Sequence, residues 1–368
     1  MGAVLHLIET GGPGGAESVF LELARGLQVR GLRNIAAVGR DGWLAGQVRQ
    51  RGLDPVILPA QGSLNFAYLS KLITLTRQQD VQLVIAHLFG AAIYASLASL
   101  FSRIPVVSVL HGQSDVSSKE RLAGLKHWVL AHGSARVVFV SNALRDELGP
   151  RLRLPADQCT VIENGIDMSR YQNTAAANLR GSLGLPATAT LVGAVGNLRP
   201  AKNYETLLRA AGEICQLHPT VHFVIAGDTS GGLMPPLAQL QASLGLNGRV
   251  HFLGLRSDVP AVLSEIDLFV LSSRTEGFSL ALVEAMASGK AAVATRSGGP
   301  ETIIESEQTG LLVPAENPAA MAAAIGRLLS DADLRGRLAA AGRGAMTRRY
   351  SSERMIADYA GLGASLTE

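Results

Sequence analysis

Two carboxylates, Glu276 and Glu284, stand eight positions apart in the run Glu276-Gly277-Phe278-Ser279-Leu280-Ala281-Leu282-Val283-Glu284-Ala285-Met286-Ala287-Ser288-Gly289. A β-branched run at Leu268–Leu271 reads as a strand that delivers Glu276 on a loop. A helix opening near Ser279 and stopped by Gly289 follows. Glu284 then lies about one and a half turns inside that helix, while Glu276 stays at its mouth. The pair can serve different parts of one extended ligand. Because Glu284 sits among Val283, Ala285 and Met286, its carboxylate needs a partner. A hydroxyl-rich ligand and an internal salt bridge are both able to provide one.

Three other segments carry residue types suited to an anionic ligand. The first predicted strand ends in Gly11-Gly12-Pro13-Gly14-Gly15-Ala16-Glu17, followed by an amphipathic helix to about Arg30. Glycines let backbone N–H groups approach a ligand closely, and the helix N-terminus favours phosphate, so Gly14 and Gly15 read as phosphate contacts or as a tight turn. The run is neither GxGxxG nor a Walker A loop. In the second half, Gly196-Asn197-Leu198-Arg199-Pro200-Ala201-Lys202-Asn203 opens a helix. Arg199 and Lys202 could there neutralise a diphosphate without Mg²⁺, or be solvated loop charges. His111 closes the run Val106–His111 beside Gly112, at a carboxyl edge where ligand contacts gather; the alternative is a hydrogen-bonded structural histidine. His6, His87, His127, His132, His218, His222 and His251 have weaker claims.

These residues must be positioned by elements, and the composition says which kind. The chain has 368 residues, 47% hydrophobic and 17% charged, enough for two domains with separate cores. Its net charge of +3 and pI near 9.0 come without any Lys/Arg block, so nucleic acid is not indicated. Cys159 and Cys215 show neither disulfide-framework nor zinc spacing, which suits a reducing cytoplasm. Met1–Ile8 lacks a basic n-region, arguing against a signal peptide, and no apolar stretch reaches membrane-spanning length.

Short apolar strands alternate with helical patterns in both halves, the signature of parallel βαβ units. Strands are predicted at Val4–Ile8, Asn34–Gly39, Pro55–Pro59, Leu83–His87, Val106–His111, Val137–Ser141 and Thr160–Glu163. The second half restarts with Thr190–Gly196, His222–Ala226, Val250–Leu253, Leu268–Leu271 and Ala291–Ala294. The expected organisation is a domain over 1–170, a linker over 171–187 around Tyr171-Gln172-Asn173-Thr174, and a domain over 188–348. A C-terminal helix at 349–368 is expected to pack back on the N-terminal domain.

Taken in order, these segments resemble glycosyltransferase family 4, whose members are retaining enzymes of the GT-B fold. The resemblance runs over almost the whole chain: Gly-Gly-Pro-Gly-Gly-Ala-Glu at 11–17, Val-Ser-Asn at 140–142, Glu-Asn-Gly-Ile-Asp at 163–167, and the loop ending in Lys202-Asn203. It continues through Val-His-Phe-Leu-Gly at 250–254, Glu276 and Glu284 as E-x7-E, and Gly298-Gly299-Pro300-Glu301. It implies an α/β fold of GT-B architecture, two doubly wound Rossmann-like domains facing across a cleft, with the C-terminal one binding a nucleotide sugar.

The resemblance also implies roles. Glu276 would hold donor-sugar hydroxyls, the amides of Phe278, Ser279 and Leu280 would meet sugar and diphosphate, and Glu284 would bind the ribose. Lys202 would grip the diphosphate, His111 would sit beside the reacting sugar, and Gly14 and Gly15 would face the diphosphate or acceptor. Where the family often reads Gly-Arg-Leu this chain has Gly196-Asn197-Leu198, leaving Arg199 as the substitute cation. The implied activity is metal-independent, cofactor-free transfer from a UDP- or GDP-sugar to a glycan or lipid-linked acceptor, in bacterial cell-surface glycan or glycolipid synthesis. A nucleotide-sugar epimerase and a non-catalytic binder are the rivals. Lys119, Arg121, Lys126 and His127, with Leu122, Leu125, Trp128 and Val129 at helical spacing, read either as peripheral membrane contact at the inner face of the plasma membrane or as a core-facing helix with solvated charges.

Overall fold

The computed structural model describes residues 2–59, 65–113, 116, 122–172 and 174–367. Seven strands form the first sheet: β1 (Ala3–Ile8), β2 (Asn34–Val38), β3 (Pro55–Ile57), β4 (Val81–His87), β5 (Val106–Leu110), β6 (Arg136–Phe139) and β7 (Cys159–Val161). They lie in the order β3-β2-β1-β4-β5-β6-β7, every pair parallel. A parallel sheet is covered on both faces, so its strands need no polar alternation. β1 is buried at every position, and β5 likewise.

The second sheet holds β8 (Thr190–Val195), β9 (Val221–Ala226), β10 (Val250–Gly254), β11 (Leu268–Leu271), β12 (Ala291–Arg296) and β13 (Leu311–Pro314). Its order is β10-β9-β8-β11-β12-β13, again all parallel. β13 has no counterpart in the sequence reading. Its four residues end in a proline, and it survives as an edge strand because only β12 pairs with it.

In both sheets the strand order reverses once, between β1 and β4 and between β8 and β11. At such switch points the loops leaving the two carboxyl ends diverge to opposite faces and open a crevice for ligands. The segments singled out in the sequence leave the sheets there: Gly11–Gly15 follows β1, Gly196–Asn203 follows β8, and Glu276 follows β11.

The chain divides into two compact units, Met1–Gly165 together with Ser352–Glu368, and Ile166–Ser351. In the first, the Gly15–Val29 helix covers the sheet with Val19, Phe20, Leu23 and Leu27. The closing helix, Ser352–Thr367, packs so tightly on it that a Cβ at Gly26 would lie 2.1 Å from Ile356 Cδ1. In the second, the Tyr204–Leu217 and Pro318–Ser330 helices pack on one another over the sheet through Ile214, Met321 and Ile325.

Residues 171–187, expected as a linker, fall within the second unit, apart from Asn173, which lies outside the described residues. Leu179 is buried, its N–H donates to both oxygens of the Glu265 carboxylate at 3.0 and 2.8 Å, and Arg180 pairs with Asp267 at 2.9 Å. Those contacts are non-local, so the polar, Ala-rich composition did not announce them.

Candidate active site

The second sheet's switch point carries a compact polar cluster. β11 ends at Leu271, and Ser272 and Ser273 follow. The Ser272 hydroxyl donates to the Lys202 carbonyl at 2.8 Å, and the Arg274 N–H donates to the Ala201 carbonyl at 2.7 Å, so the two switch-point loops are stitched together. Glu276 is held by its own backbone: its N–H donates to Ser297 O at 2.8 Å and its carbonyl accepts from Gly299 N at 2.7 Å. The neighbouring glycine is required, because a Cβ on Gly299 would come within 2.9 Å of the Gly277 and Phe278 backbone.

Within this frame Lys202 Nζ lies 2.5 Å from Glu276 Oε1, and the Ser273 hydroxyl donates to the same oxygen at 2.6 Å. Glu276 keeps only 11% of its side chain exposed and Lys202 keeps 22%, so the pair is shielded but reachable. Sequence reasoning missed Ser273, although its place directly after a carboxyl-end strand was the available signal.

Ser279 caps the Leu280–Ala287 helix, its hydroxyl accepting from Leu282 N at 3.4 Å. The first-turn amides of this helix have no intrahelical acceptors and present a positive dipole end next to Glu276. Phe278 is buried edge-on against Tyr350, with ring centroids 5.4 Å apart, which fixes the backbone entering the helix.

Glu284 finds an internal partner, and it is not the salt bridge weighed from sequence. The Tyr171 hydroxyl hydrogen-bonds its carboxylate, with the Arg170 charge nearby. Burial pushes the Glu284 carboxyl above its usual range; the Tyr171 bond and Arg170 pull it back. Tyr171 sits in the segment read as a linker, so nothing local pointed to it. Removing its hydroxyl takes away a bond to a charged group, and Tyr171→Phe is expected to cost about 1–2 kcal/mol at neutral pH. A carboxyl raised on folding favours the protonated form, so its stabilising effect fades as pH rises above the ordinary carboxylate range. The Tyr171→Phe deficit should therefore widen from about pH 4 to 7, read as melting temperature against pH; a constant offset would contradict the pairing.

Arg199 is not part of this cluster. It is exposed, and the charge it faces is Asp228, whose carboxyl is held below its usual range first by bonds from Ser230 and then by Arg199. Asn197, at the place where the family often has arginine, accepts from Asp228 N at 3.0 Å and so ties the loop after β9 to the loop after β8.

In the first unit, Gly14 caps the Gly15–Val29 helix in an extended conformation open to any residue, at φ −175°. The nearest atom to a Cβ at Gly14 would be a carboxylate oxygen of Glu17, at 2.3 Å, the end of a flexible side chain that would have to move aside. Gly15 begins the helix. His111 follows β5, and its Nε2 lies 3.1 Å from Nδ1 of His87, the last residue of β4; the rings stack 5.3 Å apart. Burial pulls His111 down to about 4 and His87 well below the ordinary histidine range. His87 was passed over in the sequence because a histidine at a strand end is uninformative until the neighbouring strand is known.

The Ala123–Gly133 helix buries Val129 and Leu130 against the core, while Leu122, Leu125 and Trp128 are 45%, 51% and 50% exposed. Lys119 and Arg121 lie outside the described residues. Among the described residues no helix is long and apolar enough to cross a membrane, and no group of three or more His, Cys, Asp or Glu side chains could hold a metal ion.

Two doubly wound parallel sheets, each with one switch point, define the class: Rossmann-like units of the GT-B fold. The Glycosyltransferase Family 4 model matches residues 13–170 and the Glycosyl transferases group 1 model matches residues 176–345. The chain belongs to glycosyltransferase family 4. It is similar to alpha-D-kanosaminyltransferase of Streptomyces kanamyceticus, 31% identical with 68% of each chain covered. It is also similar to D-inositol 3-phosphate glycosyltransferase of Salinispora tropica, 34% identical over 69% of this chain and 58% of that one. The chain thus spans less than two thirds of that relative's length. Among solved structures, Anabaena HepE in complex with UDP has a TM-score of 0.86 at 25% identity, covering 99% of this chain and all of that one. HepE with UDP-glucose superimposes at 0.89 and 24%.

Proposed function

We propose that this protein is a retaining glycosyltransferase that moves a sugar from a nucleoside-diphosphate donor to an acceptor hydroxyl without a metal ion. The observation that carries this reading is the Lys202–Glu276–Ser273 cluster at the mouth of the Leu280–Ala287 helix. A cation and a row of unpaired amides suit a diphosphate, and an adjacent shielded carboxylate suits the hydroxyls of the sugar it carries. Glu284, with lone pairs beyond the one engaged by Tyr171, is suited to ribose hydroxyls. The UDP bound by the related HepE supports a nucleotide donor.

In this reading Lys202 and the amides of Phe278, Ser279 and Leu280 stabilise charge on the departing diphosphate. The bond from the anomeric carbon to the phosphate oxygen breaks as the acceptor oxygen bonds on the same face. The departing phosphate takes the acceptor's proton, so no protein nucleophile is needed. His111 contributes a hydrogen bond to the reacting sugar, and Gly14 and Gly15 face the diphosphate or the acceptor. Arg199, exposed beside Asp228, is given no share of the leaving-group charge. The exposed Leu122, Leu125 and Trp128 favour an acceptor carried on lipid at a membrane surface.

A thermal-shift panel of UDP- and GDP-sugars tests the donor, because a ligand at 100 times its Kd stabilises by about 2.7 kcal/mol. One nucleotide series is expected to raise the melting temperature selectively. A second arm presents the selected donor with soluble and vesicle-borne acceptors and follows release of the nucleoside diphosphate. No shift with any donor, or hydrolysis with no transfer to any acceptor, counts against the proposal.

A further inference from the structure

A lysine head sits on a flexible stem, so its position is defined only where the stem is held along its length. Lys202 is held at both ends. The Ser272 hydroxyl fixes its carbonyl at 2.8 Å, and Glu276 Oε1 takes Nζ at 2.5 Å. Between those points the stem crosses Gly196. A Cβ there would lie 3.0 Å from Lys202 Cε and 3.3 Å from Lys202 Cδ, so the methylenes run directly over a residue that has no side chain.

Gly196 is itself fixed. Its N–H donates to Ala226 O at 2.8 Å, and Gly227 crowds its carbonyl so closely that a Cβ on Gly227 would stand 2.0 Å from the oxygen. The Tyr204 hydroxyl donates to that same oxygen at 2.6 Å. Tyr204 opens the Tyr204–Leu217 helix and its side chain belongs to the core over the second sheet, only 4% exposed. Its hydroxyl lies 3.1 Å from where a Gly196 Cβ would be, alongside the Lys202 methylenes. Burial first, and then the Glu276 charge, keep the phenol above its ordinary range, so it remains a donor. A phenylalanine would fill the same core volume, and the hydroxyl is what reaches the loop.

We propose that Tyr204 is a positioning residue for Lys202: its hydroxyl braces the Gly196 carbonyl, and the braced Gly196 is the bed along which the Lys202 stem runs to Glu276. The consequence for transfer rests on the glycosyltransferase reading above; the ordering of Lys202 does not. Tyr204 reaches the donor only through Lys202, so its effect should disappear when Lys202 is gone.

Nitrogen-15 NMR of the lysine ammonium groups in the full-length protein, with Lys202 assigned by its loss in Lys202→Ala, reads the ordering without substrate. The wild-type Lys202 signal should be that of a restrained ammonium group. Tyr204→Phe keeps the ring and removes the brace, and the signal should move toward the free rotation of exposed lysines. Gly196→Ala leaves the Tyr204 hydroxyl in place and lifts the stem from its bed, and it should loosen Lys202 in the same way. An unchanged Lys202 signal in either variant overturns the proposal, whatever the enzyme does.

Transfer is then followed through a double-mutant cycle. Tyr204→Phe should lower kcat about tenfold in the wild-type background, because a small misplacement of a charge-stabilising group is costly. In the Lys202→Ala background it should lower kcat by about twofold or less. Equal losses in both backgrounds would assign the phenol a role in packing alone and overturn the proposal. Loosening of Lys202 in a protein that transfers no sugar would sink the glycosyltransferase reading and leave the brace standing.

Discussion

Lys202→Ala and Glu276→Ala should each lower transfer by roughly two to three orders of magnitude while leaving the protein folded. Lys202 is the cation paired with Glu276 ahead of the Leu280–Ala287 helix, and in the proposed complex its loss leaves the diphosphate's developing charge to the helix end. Glu276 acts on two partners. It anchors Lys202 at 2.5 Å and, in the proposed complex, accepts from sugar hydroxyls. The two losses should be non-additive, because each residue positions the other. A double variant no worse than about tenfold below the weaker single would express that coupling. Circular dichroism and melting temperature establish that the singles are folded, and single-turnover transfer measures the loss. Near-normal turnover in both singles removes the cluster from the chemistry.

Gly227→Ala should be the most damaging single-methyl change at the second switch point. Its Cβ would stand 2.0 Å from the Gly196 carbonyl oxygen, 2.4 Å from the Gly196 carbonyl carbon and 2.9 Å from Asn197 N, all backbone atoms. No flexible side chain can swing away, so the loops after β8 and β9 must separate. The hydrogen bonds from Gly196 N to Ala226 O at 2.8 Å and from Gly227 N to Gly254 O at 2.9 Å resist that separation. Overpacking of this kind costs about 1–3 kcal/mol, and contact with rigid backbone places this case at the upper end. In a unit of this size about 3 kcal/mol lowers the melting temperature by roughly 6–12 °C. The Gly196–Lys202 loop would shift with it, so transfer should fall even below the melting temperature. Calorimetry and donor titration on the same sample check both; an unchanged melting temperature would show that the loops are not packed as described.

Much of this machinery is legible along the chain because it is local. Apolar runs bounded by glycines mark the strands, and Ser279 and Gly289 bracket the helix that Glu276 introduces. Carboxyl-end placement picks out Lys202, Glu276 and His111. β13 escaped because four residues ending in proline carry too little pattern, and its pairing with β12 alone makes it a strand. Arg199 stood in the sequence only as a substitute for the arginine missing at Asn197, and the structure leaves it exposed near Asp228. Side-chain direction within a loop depends on backbone angles that residue types constrain only weakly.

The linear order of residues determined which elements form and which reactive groups stand at their ends, since helix and strand periodicity, caps and glycine turns act over a few neighbouring positions. The tertiary structure alone decided who meets whom: Tyr171 on Glu284, His87 on His111, Lys202 on Glu276, and Asn197 on Asp228. Each of these pairings joins residues from different elements or loops. Such contacts depend on the order in which strands assemble and on how loops pack beyond their ends, and no short stretch of sequence encodes that order.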